Sequence, residues 1–435
     1  MNYFYLLFMY CVLSANIFVG VVHAEKAHLV FHTYRKAMPV AYRSNFLIDE
    51  KELPLPRVLH VALLPISSGS IEVVFSICKY LYENGFDNKI LVTTGSILQK
   101  KLNEAEIPHY STNALSVYAK NKYYYKKKLG SMISKICLQH NIEIIHTHKP
   151  LEYFIARDIA QKYGIAIIAH YHTYTLPSLN KFKGFDAFIG VSPRIIDYVT
   201  EVNKTCNLGI KHIGFMYPPY DDQKFLNFKS AYSSKADFFK KCFNIEIGND
   251  PVVCMVANYY ESKNHELLLE AVSKLVKKGQ GNLHIMLAGT GKPNRYNTLK
   301  TLVENLHLEQ NVHFLGFINN VEELFYFSDL SVLPSLFEAF GIVLLEAALM
   351  KKPIILSKTA DAANVVIFQD KTGLLCDPEN VDDLADKIQR ILKNPREGKR
   401  LGENAYNYVK ENFLSQCSLD SLIDLYFSLK IQRNQ

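Results

Sequence analysis

The segment Phe337 to Glu346, FEAFGIVLLE, places two carboxylates eight positions apart, Glu338 and Glu346. Between them a small turn, Ala339-Phe340-Gly341, opens an apolar helix. At the helical rise the two acids lie about 12 Å apart along the axis. One can meet a sugar on one side of a diphosphate while the other meets a ribose on the far side. The helix start between them offers unpaired N–H groups and partial positive charge, which suit a phosphate.

These residues need a scaffold, and the flanking sequence supplies one. Leu330 to Pro334, LSVLP, reads as a buried strand; Lys351, Lys352 and Pro353 end the helix, and Ile354 to Leu356 start the next strand. A strand–loop–helix–strand unit of this kind belongs to an α/β sheet, which binds ligands at the carboxyl ends of its strands. The same alternation recurs along the chain. Strands are expected at Val58 to Leu64, Lys89 to Thr93, Ile142 to His148, Gly164 to His172 and Phe185 to Ser192, with a helix from about Ile71 to Asn84. A second series runs through Val252 to Ala257, Leu283 to Gly289, Val312 to Phe317, Leu330 to Pro334 and Ile354 to Leu356. Helical stretches between most of these runs imply parallel sheets. A chain of 435 residues exceeds one core. The reading is α/β, with two Rossmann-like parallel-sheet domains facing a cleft and an N-terminal apolar segment. Its parts are an apolar segment 1–24, a connector 25–56, a first domain 57–222, a second domain 223–413 and a final helix 414–435.

Through these motifs the chain resembles the retaining GT-B glycosyltransferases of family four, the glycosyl transferases group 1. FEAFGIVLLEA looks like their E-x7-E signature. VHFLGF (Val312 to Phe317), SDLSVLPS (Ser328 to Ser335) and ESKNHELLLEA (Glu261 to Ala271) occur in the order and spacing those enzymes use. The resemblance runs from about Val58 to about Tyr426. It implies that Lys263 neutralises the donor diphosphate, Glu338 contacts the transferred sugar and Glu346 accepts hydrogen bonds from ribose hydroxyls. Backbone N–H groups of Phe340 and Gly341 would meet sugar or phosphate oxygens, and Gly289 and Gly291 would form a loop near the nucleotide. Asn258 stands where the family has arginine, so one phosphate-site charge is missing unless a residue such as Lys292 replaces it. SSGSIE (Ser67 to Glu72) resembles the family's G-G-x-E turn, giving Gly69 a donor-side role and leaving Glu72 either functional or a dipole-favoured helix start. His172 matches the family's strand-end histidine, which touches the donor sugar or steadies phosphate charge. SKTADAAN (Ser357 to Asn364) lacks the usual glycine pair. The resemblance also implies that the last helix crosses back to the first domain.

His146 and His148 share one strand face, as do His170 and His172. Four such histidines invite a metal reading, but no carboxylate completes the set, and the expectation is no metal and no cofactor beyond the donor substrate. His148 is expected to line the cleft, with His146 and His170 structural. The eight scattered cysteines form no CxxC pair, which argues against a zinc ribbon or disulfide framework and fits a reducing compartment. The net charge of +7 is spread along the length, so no nucleic-acid partner is implied, while 49% hydrophobic and 21% charged residues exclude a disordered chain. Tyr3 to Ala24 is long enough to span a bilayer and reads as an anchor, a cleaved signal or a mis-assigned start. Lys26, Arg35, Lys36 and Arg43 follow it, which places the remainder in the cytoplasm, anchored to or associated with the inner membrane face. The Lys120–Lys128 stretch, rich in lysine and tyrosine, suits anionic headgroups or plain solvent.

The activity expected is therefore transfer of a hexosyl unit from a nucleotide diphosphate sugar to a glycan or lipid-linked acceptor, without metal and with retained configuration. A GT-B nucleotide-sugar epimerase and a non-catalytic nucleotide-sugar-binding protein are the competing readings.

Overall fold

The computed structural model describes residues 54–64, 69–118, 121–172, 182–220 and 222–434. The apolar leader, most of the 25–56 connector, the turn 65–68 and Lys120 therefore lie outside the described residues. The first domain runs β1 (Val58–Ala62), α1 (Gly69–Glu83), β2 (Asn88–Thr93), α2 (Ile97–Glu104), β3 (Tyr110–Thr112), α3 (Ala114–Tyr118), α4 (Lys122–Gln139) and β4 (Ile144–Thr147). It continues with α5 (Pro150–Tyr163), β5 (Ala166–Tyr171), β6 (Ala187–Gly190), α6 (Pro193–Thr205) and β7 (His212–Phe215). The second domain runs α7 (Asp222–Leu226), α8 (Lys235–Phe243), β8 (Val252–Val256), a 3-10 turn (Glu261–Lys263), α9 (His265–Lys277), β9 (His284–Ala288), α10 (Pro293–Asn305) and β10 (Val312–Gly316). It continues with α11 (Val321–Phe327), β11 (Leu330–Leu333), α12 (Ile342–Leu349), β12 (Ile354–Ser357), β13 (Leu374–Cys376), α13 (Val381–Lys393) and α14 (Pro395–Asn412), before the final α15 (Ser415–Asn434).

Strands β1, β4, β5 and β6 are buried at every position, because helices cover both faces of a parallel sheet and leave no polar side to alternate with. The first sheet has the order β3-β2-β1-β4-β5-β6-β7 and the second β10-β9-β8-β11-β12-β13, with every pairing parallel. Each order reverses direction once, between β1 and β4 in the first sheet and between β8 and β11 in the second. Those reversals are where an open α/β sheet leaves a crevice at its carboxyl edge. Three strands absent from the sequence reading, β3, β7 and β13, are edge strands of three or four residues. The stretch 214–250, which carries the chain from the first domain into the second, holds the end of β7 and both α7 and α8.

The chain passes between the domains twice, near 220 and near 414, and the two passages are tied together. Tyr220 N–H donates to Ser415 Oγ at 2.8 Å, Ser415 N–H donates to Asp222 Oδ2 at 2.7 Å, and Tyr217 Oη–H donates to the Leu414 carbonyl at 3.3 Å. Beyond Ser415, α15 lies on the first sheet. Leu419, Leu422, Leu425, Tyr426 and Leu429 enter one core with Val58, Ile144, Ile168 and Ile189. Leu422→Ala should destabilise the chain by about 2–5 kcal/mol, the usual cost of truncating a buried leucine. Urea unfolding of the two proteins measures it, and a midpoint indistinguishable from wild type would mean that α15 does not rest in that core.

Candidate active site

The reversal of the second sheet assembles the residues singled out by the E-x7-E segment. Lys263 ends the 3-10 turn after β8, and Asn264 follows in the left-handed region, φ +60°, which turns the chain into α9. The Asn264 amide donates to the carbonyls of Pro334 (3.2 Å) and Pro378 (2.8 Å), anchoring the Lys263 turn to the loops after β11 and β13. Leu336 N–H donates to the Ser262 carbonyl at 2.9 Å, and Asp361 N–H to the Glu338 carbonyl at 3.0 Å. Within this frame the Lys263 ammonium pairs with the Glu338 carboxylate, both side chains largely covered. Gly341 has φ +78°, and a Cβ there would stand 3.3 Å from Glu338 Cγ, so glycine suits both the turn and the carboxylate's position.

Phe340 is buried among Phe215, Tyr217 and Phe413, with ring centroids 5.8–6.4 Å away, so its side chain joins the domains. Ile342 packs against the first domain's core, placing the start of α12 at the domain junction. Glu346, half-buried on α12, is pushed up to about 7. Burial is the main cause; Lys224 opposes it, and the charges of Glu72 and Glu322 add to it. Glu72 itself pairs with Lys101 at 3.1 Å from the first turn of α1, whose first residue is Gly69.

Asn258, in the place of an arginine, accepts hydrogen bonds at Oδ1 from Thr290 N–H (3.1 Å) and Thr290 Oγ1–H (3.3 Å). It therefore binds the loops after β8 and β9 to each other. Gly289 and Gly291 serve the same junction: a Cβ would lie 2.1 Å from the Ala257 carbonyl oxygen at the first and 2.7 Å from Tyr259 Cβ at the second. Lys292 is the exposed N-cap of α10. In the 357–364 stretch, Asn364 takes φ +61°. Asp361 there pairs with Arg194 of α6 at 3.0 Å, a link between the carboxyl edges of the two sheets that the sequence reading did not include.

At the reversal of the first sheet stand five histidines. His146, His148, His170 and His172 are joined by His60 of β1, which pairs in register with His146. His60, His146, His148 and His170 are fully or almost fully buried, and His172, just past β5, is partly exposed. Burial lowers the basicity of all five, bringing His60 and His172 to about 3, and mutual repulsion lowers His146, His148 and His170 further. Two triplets, His60–His146–His148 and His148–His170–His172, bring ligating atoms within 4.8 Å of one another. Nearby, buried Glu152 of α5 accepts from Leu63 N–H at 3.0 Å, which holds the start of the loop after β1. Its carboxyl is pushed up to about 8, chiefly by burial, with hydrogen bonds from Leu63, His148 and Lys149 N–H and the charge of Lys149 opposing.

The structure thus groups Lys263, Glu338, Asn258, Gly289, Gly291 and Gly341 around the second sheet's carboxyl edge, with Phe340 and Glu346 at the junction. It puts His172 and Gly69 on the first sheet's side. His60, Glu152, Arg194 and Tyr426 were not among the expected residues. A histidine within each of three apolar strands was the available signal, but only strand order makes those strands neighbours. Seven cysteines, all but Cys11, are free thiols among the described residues. Of the lysine-rich stretch, Tyr123 and Tyr124 on α4 are exposed (75% and 51%), while Tyr125 is buried. No helix among the described residues is long and apolar enough to cross a membrane.

Two doubly wound parallel domains joined at their carboxyl edges define the GT-B class of glycosyltransferases. Residues 237–408 match the profile of the family described as glycosyl transferases group 1. It is 27% identical over 387 residues to the N-acetyl-alpha-D-glucosaminyl L-malate synthase of Bacillus anthracis, spanning 85% of this chain and 96% of that protein. It is 22% identical over 397 residues to the UDP-Gal:alpha-D-GlcNAc-diphosphoundecaprenol alpha-1,3-galactosyltransferase of Escherichia coli, spanning 87% and 98%. Among solved structures, a glycosyltransferase from Rickettsia africae superposes with a TM-score of 0.74 at 23% identity, over 87% of this chain and 99% of that one. Anabaena HepE in complex with UDP-glucose superposes at 0.71 and 17% identity, over 86% and 99%.

The buried ionisable groups set the pH dependence of stability. Unfolded imidazoles titrate near 6.5, whereas His60 and His172 do so near 3 in the fold. The unfolded chain therefore binds more protons between those values, and stability, complete above 6.5, is lost as pH falls toward 3 at up to about 1.4 kcal/mol per pH unit per group. Glu152 acts in the opposite direction: its contribution is complete below 4.5 and lost as pH rises through 8. Calorimetric scans should show a steep acid limb below pH 6.5. Glu152→Gln should flatten the curve between pH 5 and 8 while leaving that limb; an unchanged alkaline slope would remove Glu152 as its source.

Proposed function

We propose that the chain transfers a hexosyl unit from a nucleotide diphosphate sugar to an acceptor hydroxyl with retained anomeric configuration, and that this serves cell-surface polysaccharide or glycolipid assembly. The observation that carries the reading is the Lys263–Glu338 ion pair at the reversal of the second sheet, beside the first turn of α12. Without ligand the ammonium is neutralised by one carboxylate. An arriving diphosphate offers a denser negative partner, so Lys263 turns to it and Glu338 is released to accept hydrogen bonds from the sugar hydroxyls. Charge builds on the leaving diphosphate as the anomeric C–O bond breaks. Lys263 and the N–H groups of the α12 turn meet that charge in a fixed geometry, the preorganised electrostatic stabilisation that lowers such barriers most. The acceptor oxygen bonds to the anomeric carbon from the face the phosphate leaves, and its proton passes to the departing phosphate oxygen. No metal is assigned a part in these steps. Glu346 accepts from the ribose hydroxyls in its ionised form.

Lys263→Ala and Glu338→Ala should each lower turnover at least about tenfold, as the loss of a group stabilising developing charge does. Steady-state transfer assays and donor-binding calorimetry test this together. Unchanged rates in both variants, or product formed from the donor with no acceptor present, would overturn it. Exposed Tyr123 and Tyr124, with Lys122, Lys126 and Lys127 on the same helix, support docking on an anionic membrane surface, where a lipid-linked acceptor would be met. Sedimentation with phosphatidylserine vesicles should retain the protein at low salt, and a triple Lys→Glu variant should stay in the supernatant. Equal retention of both would exclude this helix as the contact.

A further inference from the structure

We propose that His172, His148, His60, Tyr426, His146 and His170 form one hydrogen-bonded relay that dictates which tautomer His172 presents to the donor. This rests on the reading of His172 as a donor-contacting residue. The links run in sequence: His172 Nε2 to His148 Nδ1 (3.2 Å), His148 Nε2 to His60 Nδ1 (3.2 Å), His60 Nε2 to Tyr426 Oη (3.5 Å), Tyr426 Oη to His146 Nδ1 (2.6 Å), and His146 Nε2 to His170 Nδ1 (3.2 Å). The two end atoms, His172 Nδ1 and His170 Nε2, have no partner among the described residues.

Proton counting gives the consequence. A neutral imidazole carries one N–H and one lone pair, and a tyrosine hydroxyl carries one proton. The burial that lowers the basicity of these histidines keeps them neutral. Six groups therefore hold six protons for five links. Any group pointing against its neighbours leaves a link with no proton or with two, and in a buried site either defect is costly. Two states satisfy every link. In one, all five histidines are Nε2–H tautomers, the spare proton lies on His170 and His172 Nδ1 is an acceptor. In the other, all five are Nδ1–H tautomers and His172 donates. Exchange between them requires a proton to enter at one end and leave at the other, and both end nitrogens, His172 Nδ1 and His170 Nε2, are shielded from solvent. The relay thus holds His172 to one role, as acceptor from a sugar hydroxyl or as donor to a phosphate or sugar oxygen. Tyr426 is a positioning residue, supplied by the helix that returns from the second domain.

The same nitrogens argue against convergence on an ion. His148 directs Nε2 toward His60 and Nδ1 toward His172, so its atoms are spread along a line. Zinc draws three nitrogens to about 2.0–2.1 Å of a single point.

Long-range 1H–15N correlation spectra of the full chain, labelled with 15N-histidine, distinguish the tautomers directly. The expected result is a single tautomer shared by the five histidines. A mixture of Nδ1–H and Nε2–H forms among them would overturn the relay, as would uptake of one Zn2+ per metal-free chain with loss of the imidazole N–H signals. Tyr426→Phe keeps the ring and removes the central link, leaving segments of three and two histidines. In that variant His172 should show both tautomers and turnover should fall severalfold; one retained tautomer with unchanged turnover would overturn the proposal. A shared tautomer in the wild-type chain, with full turnover in His172→Ala, would uphold the relay and remove His172 from the donor site.

Discussion

The site exists because two passages of the chain between domains are fastened to each other. A serine hydroxyl, its own N–H and an aspartate carboxylate, Ser415 and Asp222, fix the outgoing segment near Tyr220 against the returning one. From that point α15 runs back over the first sheet and buries a leucine row there. Each sheet alone offers only half of a ligand's surroundings. Fastening the passages at one place lets the carboxyl edges meet at Phe340 with Phe215 and at Arg194 with Asp361.

In the proposed reaction, the neutral Asn258 leaves fewer groups of the second domain to meet the phosphate charge. Its carboxamide oxygen holds two loops together, and a neutral amide supplies no charge in place of a guanidinium. Lys263 and the amide-rich start of α12 remain. In that reading the ammonium, held against Glu338, exchanges one anionic partner for another when the diphosphate binds. Transferring the ammonium between partners avoids leaving it uncompensated, which is the expensive state for a covered charge.

Much of the scaffold was legible because parallel strands buried on both faces write themselves as unbroken apolar runs. Val252 to Met255 and Ile354 to Leu356 are of this kind. Three of the four edge strands were not: Tyr110–Thr112 and His212–Phe215, for example, are short and partly exposed, so neither length nor apolar continuity marks them. Glycines were legible as turn residues, yet Gly289 and Gly291 are required by the approach of Ala257 and Tyr259. Local sequence carries no record of that approach.

The histidines draw the line most clearly. Residue type and spacing determined that two strands would carry imidazoles near their carboxyl ends, and that Glu338, the α12 turn and Glu346 would follow in order along one short segment, because period and helix rise are local properties of the backbone. Which strands lie side by side, and that Tyr426, far along the chain, completes the row of imidazoles, was decided by tertiary structure alone. Strand order and the return of a terminal helix are set by the packing of whole elements, and hydrogen bonds between residues hundreds of positions apart form only after that packing is complete.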